Sequence, residues 1–438
     1  MIRPRKRALA AAVALVCAGL SLAACSSSSD SGTNSAGNAG DGGSSGAASA
    51  SFDTSHCPSS ASSVPSGDTL TLGSSGPLTG PLAPDATIFD GVKAYFDYVN
   101  SQGGVDTAAG KKKLKLNLLD DGYVASKTVQ NVQQLVQQDN VFALTNVVGS
   151  PNNLAIAPYI TSQCVPMLFA EGAQEALGTA KYPFGSNAFA NLDQDGFAIG
   201  NYLKSIAPSA TVAVLYQDDA FGQPIYQGLK EALQGSDVKI VKTQTYGTTD
   251  VDVKNQMTTL AASKAEYFVS GSVATACTQS FKYLETSSWQ PKSFVTDACG
   301  GPNLSPVSAK VTGNIIGTEE LKGIGSSDYK ADPGMQLMQT WVGKEGGEVN
   351  AGSEYGWYGA ELAVNAIKNA KQLTRIGVAE AAATFPDMTP GVMLPGVSIH
   401  GWKTGTPVIS KLAITRYVPA DNAFSAPIKV VDAVPPSS

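Results

Sequence analysis

Histidine is almost missing from this chain: His56 and His400 are the only two in 438 residues. A Ser-His-Asp hydrolase needs a positioned imidazole. His56 stands in a stretch of small polar residues and His400 near the end, so neither suits. The sequence also lacks Cys-x-x-Cys, which with so few histidines leaves a zinc-type site without ligands at the usual spacing. It has no GxxxxGK[ST] phosphate loop. Its G-x-S-x-G match, Gly42 to Gly46, has no strand before it and no helix after it, so it is no nucleophile elbow. Asp120-Asp121 and Asp218-Asp219 are neighbours in loops, a poor arrangement for acid–base work. The reading is a binding protein rather than an enzyme, with no cofactor and no metal.

Basic charge is scarce as well. Thirty Lys and Arg stand against 36 Asp and Glu, a formal charge of −6. Lys111-Lys112-Lys113 is a lone trio, read as a solvated turn, and no basic run carries interleaved aromatics. Nucleic acid is therefore excluded as a partner. Beyond the N-terminus no apolar run is long enough to span a membrane.

The N-terminus itself reads as a processing signal over residues 1–24. Arg3, Arg5, Lys6 and Arg7 precede an apolar run from Ala8 to Leu20, and small residues follow. Leu22-Ala23-Ala24-Cys25 resembles a bacterial lipobox, which implies cleavage before Cys25 and lipid on its sulfur. Loss of the signal takes the charge to about −10. Residues 25–66 are rich in Ser, Gly, Ala and Asn and cannot bury enough surface to offset chain entropy, so they read as a flexible tether. The body from residue 67 onward is longer than one core usually holds, and two lobes are expected.

Cys17 leaves with the signal and Cys25 carries lipid. Cys57, Cys164, Cys277 and Cys299 remain, an even count in an exported chain. Three pairings are possible. Cys57–Cys164 and Cys277–Cys299 are favoured, because Cys277 and Cys299 each follow a strand at one sheet edge, while Cys164 precedes a strand at the opposite edge.

The body alternates strand and helix twice. Thr69–Leu72, Leu114–Leu119, Val141–Val148 and Val165–Phe169 read as strands, with helices marked by Ile88 to Val99, by Val129 to Val136 and by the stretch after Gly149. Ser150 suits a helix cap and Pro151 a first turn. The pattern restarts with Thr211–Tyr216, Val238–Thr243, Glu266–Ser270 and Ser293–Thr296 and the helices between them. Helices around Met338 and over Tyr355–Ala370 follow, then strand-like runs at Gly396–Trp402 and Lys411–Tyr417. Strands alternating with helices argue an α/β class with a parallel sheet in each of two Rossmann-like lobes. Their strand ends face a shared crevice.

Several stretches, in order, resemble the leucine/isoleucine/valine-binding family of ABC-transporter solute-binding lipoproteins, with the type I periplasmic binding protein fold. Ser75-Gly76-Pro77-Leu78-Thr79-Gly80 looks like the family's SGP-x-x-G loop. Ile88 to Gly104 is similar to its first helix ending in N-x-x-GG. Asp120-Asp121 with the following helix matches its DD…A…L segment, and Leu215 to Gly222 its aromatic-Gly loop. The resemblance covers Leu70 to Tyr417. It implies lobes over residues 67–189 with 317–398, and 190–316 with 399–438, joined by a multi-strand hinge.

The implied function is a monomeric receptor on the outer face of the bacterial cytoplasmic membrane. It would be lipid-anchored and would serve an ABC permease, closing over a small polar ligand such as a branched-chain amino acid. A ligand-sensing lipoprotein with a membrane signalling partner is the alternative. Carried over residue by residue, Gly149, Ser150, Gly172 and Ala173 face the ligand carboxylate. Asp297 meets its ammonium, and Phe221 and Tyr355 wall it. The chain departs from the family at Ala173, where a hydroxyl usually stands, with Glu171 two residues before. The sequence favours Glu171 facing outward; the other reading has it bind a cationic or amide part of a different ligand.

Overall fold

The computed structural model describes residues 53–172, 176–250, 252–404 and 406–434. The signal, Cys25 and Ala173 lie outside the described residues. The chain opens with β1 (Thr69–Gly76), α1 (Ile88–Ser101), β2 (Val105–Thr107), β3 (Gly110–Asp120), α2 (Ala125–Gln137), β4 (Ala143–Thr145), α3 (Ser150–Ser162), β5 (Met167–Ala170) and β6 (Gly185–Asn187). These strands form one sheet in the order β2-β3-β1-β4-β5-β6. All its pairings are parallel except the β2–β3 hairpin at the edge. β4 is wholly buried, which explains why it carries no charged residue.

The second sheet follows α4 (Leu192–Ile206). It is built from β7 (Thr211–Gln217), α5 (Gly222–Leu233), β8 (Lys239–Tyr246), α6 (Lys254–Ala261), β9 (Tyr267–Gly271), α7 (Ala274–Thr286), β10 (Lys292–Val295), α8 (Ala309–Thr312) and β11 (Ile315–Glu319). The chain then returns to the first sheet with α9 (Pro333–Lys344), α10 (Ala351–Asn369) and α11 (Arg375–Thr384). It finishes on the second with β12 (Lys411–Val418), β13 (Ala423–Phe424) and β14 (Lys429–Asp432). β8-β7-β9-β10-β11 run parallel, and β12 joins β11 antiparallel with β13 and β14 paired to it. Both sheets are thus parallel at their centres and mixed at an edge.

Each lobe has one helix pair packed backbone to backbone. A Cβ on Gly356 of α10 would lie 1.7 Å from the Ile88 carbonyl of α1, and one on Gly228 of α5 would lie 1.9 Å from the Asp193 carbonyl of α4. Only glycine permits such crossings.

The chain passes between lobes near residues 188–191, 320–322 and 409–411, and hydrogen bonds tie these crossings together. Ala190 N donates to Glu320 Oε1 (3.0 Å) and Gln194 Nε2 to the Ile409 carbonyl (3.0 Å). The boundary drawn at residue 317 cuts through β11, which pairs with β10.

Three expectations change. Lys111-Lys112-Lys113 is no turn: it lies in β3, and Lys112 is buried. Gly396–Trp402 forms no strand: Ile399 makes one isolated bridge to Met388, and Val397 and Ile399 bury themselves in the first lobe's core. Pro395 has no N–H to offer a ladder. Residues 53–66 are not free tether either. Cys57 is bonded to Cys164, with Cα atoms 5.5 Å apart, and Ala61 is buried beside Phe184 and Ala383. Cys277 is bonded to Cys299. Among the described residues the cluster spaced like metal ligands is His56, Cys57 and Cys164, and its two thiols are joined to each other. No helix among the described residues is long and apolar enough to cross a membrane.

Candidate functional site

The strand ends of both lobes open into one cleft with an empty volume of about 900 Å3. On the first-lobe side, β4 runs out at Thr145 and the chain turns through Asn146, Val148 and Gly149 into α3. Gly149 holds φ at 107°, and a Cβ there would meet the Tyr123 ring at 2.5 Å. Only glycine fits both conditions. Helix α3 therefore starts at Ser150 with Gly149 as its cap residue, one position earlier than the sequence suggests.

The loop after β5 is laced to this turn. Gly149 N donates to the Glu171 carbonyl (2.8 Å) and Glu171 N to the Val147 carbonyl (3.0 Å). Asn153 Nδ2 reaches the Gly172 carbonyl (3.3 Å). Gly149, Ser150, Glu171 and Gly172 all line the cleft.

The outward reading of Glu171 is overturned. Its carboxylate turns inward, where Oε1 accepts from Asn146 Nδ2 at 2.8 Å. Asn146 is fully buried and left-handed at φ 48°. Thr145 Oγ1 donates to its side-chain oxygen (2.7 Å), which aims the amide nitrogen at Glu171. The space for that amide exists because residue 359 is glycine: a Cβ there would lie 2.1 Å from Asn146 Nδ2.

The second lobe brings Phe221 from the start of α5, Val273 from the loop before α7, and Asp297 just past β10. Asp297 Oδ1 accepts from Ala298 N (2.8 Å). Tyr355 of α10, a first-lobe helix, donates its hydroxyl to the Asp297 carbonyl (2.8 Å) and so bridges the lobes. Its ring meets Phe189 edge-on at 5.2 Å. The lobes also touch at the mouth, where Thr275 Oγ1 donates to the Pro81 carbonyl (2.8 Å) and Leu82 and Tyr123 pack with Ala274. The structure brings together every expected site residue that it describes.

Most of the other lining residues were not foreseen, among them Asp85, Tyr123, Phe189 and Val273. Nor was Asn146, although a lone amide inside the apolar run from Val141 to Val148 was a visible signal.

The electrostatics are one-sided. Asp85, Glu171 and Asp297 line the cavity, and no Lys, Arg or His does so among the described residues. The stretch 173–175 contains none in its sequence. Burial pushes Asp85 up to about 7 and Asp297 up to about 6. Glu171 is raised well above the ordinary carboxylate range, chiefly by burial and also by the charges of Asp297, Asp85 and Glu320, against the pull of the Asn146 hydrogen bond. Behind the cleft, at the hinge, Asp195, Glu319, Glu320 and Glu354 are buried. Glu320 and Glu354 are each pushed to about 8, chiefly by burial.

Residues 69–422 match a family model described as periplasmic binding protein. The chain belongs to the periplasmic binding protein family. Members of this family are binding proteins of transport systems, not enzymes.

This periplasmic binding protein has the type I two-lobe fold shared by solved structures. One is a branched chain amino acid ABC transporter from Thermus thermophilus with bound valine: 18% identity, 82% of this chain and 95% of that one, TM-score 0.71. A second is a fatty acid ABC transporter substrate-binding protein from Thermomonospora curvata: 20% identity, 84% and 94%, TM-score 0.70. A third is a solute-binding protein of an ABC transporter from Rhodopseudomonas palustris in complex with 3,4-dihydroxybenzoic acid: 20% identity, 84% and 98%, TM-score 0.70. These three share one fold and are named for unlike solutes, so the fold by itself fixes no ligand.

Proposed function

We propose that this periplasmic binding protein is the solute receptor of an ABC importer, held outside the cytoplasmic membrane by lipid on Cys25. It captures a small polar ligand, such as a branched-chain amino acid or a related compound, between its lobes. The observation that carries the reading is the cleft itself: backbone and side chains of both lobes line one cavity, and the chain crosses between the lobes three times beside it. Such a hinge lets the lobes close on a solute and expose a new surface to a permease. Gly149, Ser150, Glu171, Gly172, Ala173, Phe221, Asp297 and Tyr355 form the ligand-binding set. The protein acts as a monomer.

The test is thermal melting of the full-length protein against amino acids, amides, amines and sugars, followed by uptake of the solute found. At a hundred times its Kd a solute that binds only the folded state adds about 2.7 kcal/mol. A rise of about 3 °C or more is expected for one solute class. Cells expressing Cys25→Ala should then import that solute poorly. Unchanged uptake in cells lacking the chain would move the reading to a ligand sensor.

A further inference from the structure

The cleft's chemistry narrows the solute, given the reading of this cleft as the solute site. Its walls are apolar and aromatic, with Tyr123, Phe189, Phe221 and Tyr355 on facing sides. The ionisable groups among the described lining residues, apart from tyrosine, are three carboxylates.

The helix ends that reach the cleft do not restore the balance. The start of α5 is held by Asp219, whose Oδ1 accepts from Phe221 N (2.8 Å), and that of α10 by Asn350, which accepts from Ser353 N (3.1 Å). The starts of α3 and α7 remain, each worth about half a positive charge, and α3 begins beside Glu171. A free carboxylate on the ligand would enter a cavity holding three others. A cation would meet carboxylates and the faces of aromatic rings together.

We infer that the cleft takes an organic ammonium on an apolar body with no free carboxylate, its cation between Glu171 and Asp297 and its body against Phe189, Phe221 and Tyr355. Glu171 is the residue that excludes the amino acid. It occupies the wall where a ligand carboxylate would approach the start of α3, and Asn146 holds it there. The groups facing Glu171 are Asn146 from the end of β4, Asp85 from the loop before α1, Tyr358 of α10, Asp297 after β10 and, farther off, Glu320 at the hinge. None is a cation. Amine binding draws Glu171, Asp297 and Asp85 into their charged forms. Affinity for an amine therefore rises as pH goes from 5.5 to 8, whereas affinity for a carboxylate falls.

The test is calorimetric titration of the full-length protein at pH 7.5 with matched probes. The amines are 3-methylbutylamine and 2-phenylethylamine, the amino acids leucine and phenylalanine, and the acids 4-methylpentanoate and 3-phenylpropanoate. Each amine is expected to bind at least tenfold tighter than the amino acid with the same side chain, and the acids not at all. Glu171→Gln keeps an acceptor for Asn146 and should weaken the amine tenfold or more while narrowing its lead over the amino acid. Asp297→Asn, away from that hydrogen bond, should weaken the amine similarly and serves if the first variant does not fold.

An amino acid or acid that binds as tightly as its amine overturns the inference. So does an amine affinity untouched by both variants, or no binding by either amine. Binding of leucine alone would overturn the inference and leave the solute-receptor reading standing; retained uptake in cells lacking the chain would remove that reading itself.

Discussion

The molecule holds two groups of carboxylates that differ in what can reach them. Asp85, Glu171 and Asp297 sit half-buried on the cleft wall, open to a solute. Asp195, Glu319, Glu320 and Glu354 lie behind them at the hinge and are at most 4% exposed. Three of the hinge carboxylates hold the fold: Glu320 accepts from Ala190 N, Glu354 from Ile324 N (2.7 Å), and Asp195 from Thr318 Oγ1 (2.6 Å), while Glu319 Oε1 and Glu320 Oε2 are buried without a hydrogen-bond partner. Asp297 borders both groups, since it also lines a smaller cavity of about 310 Å3 with Glu319 and Glu354. The same residue type thus does two jobs. Titration in either group changes stability; titration at the wall also changes what the cleft binds.

The sharpest way to break this division is Gly149→Ala, which strikes the wall alone. It places a Cβ against the Tyr123 ring in a left-handed backbone. A loss of about 3 kcal/mol in urea unfolding is expected, with solute binding abolished. A urea midpoint and a solute affinity that both stay at the wild-type values would mean that the turn at Gly149 does not shape the wall.

A smaller effect is expected from the hinge side. Glu320 titrates near 8 in the folded protein, far above its ordinary 4.5, because burial disfavours its charge. Between those values the unfolded chain has lost the proton that the fold retains. Stability therefore falls as pH rises through this window, and below about 4.5 the contribution is fully present. Glu320→Gln keeps the acceptor for Ala190 and removes the titration. It should gain about 1 kcal/mol over wild type at pH 8 and nothing at pH 4.5, by urea midpoints, with solute affinity within twofold of wild type. A gain that is the same at both pH values would exclude Glu320 as the titrating group.

The smallest effect belongs to Lys322, which pairs with Asp332 at 2.7 Å and lends its charge to Glu354. Lys322→Met should cost about 0.5–1 kcal/mol and raise the pH at which Glu354 titrates, read by carboxyl NMR shifts. A carboxyl shift that stays in place would leave Glu354 governed by burial alone.

Much of the architecture is legible in the sequence. Val141 to Val148 reads as a covered strand because it has no charge to show water; the run is buried throughout, but its ladder spans only Ala143–Thr145, and Gly149 stands at the start of α3. Ile88 to Val99 and Tyr355 to Ala370 announce helices by spacing, and the four cysteines pair as their places beside strand ends suggest. Shorter pieces escaped. Gly185-Ser186-Asn187 forms an edge strand with no β-forming residue in it, held by pairing to β5 rather than by propensity. Gly396–Trp402 looked like a strand and is not one, because burial against the first lobe, not a ladder, decides its conformation.

The sequence by itself determined the class of fold, which rests on periodicity, composition and local turn chemistry, and its resemblance to a family named seven of the residues that line the cleft. Which way Glu171 points could be decided only in three dimensions. It depends on Asn146, twenty-five residues earlier, and on the absence of a side chain at Gly359, a helix away. The charge of the cleft is likewise a tertiary fact. Asp85, Glu171 and Asp297 are ordinary surface residues in the sequence, and they become one acidic wall only because two lobes bring them into a space that excludes most of the water.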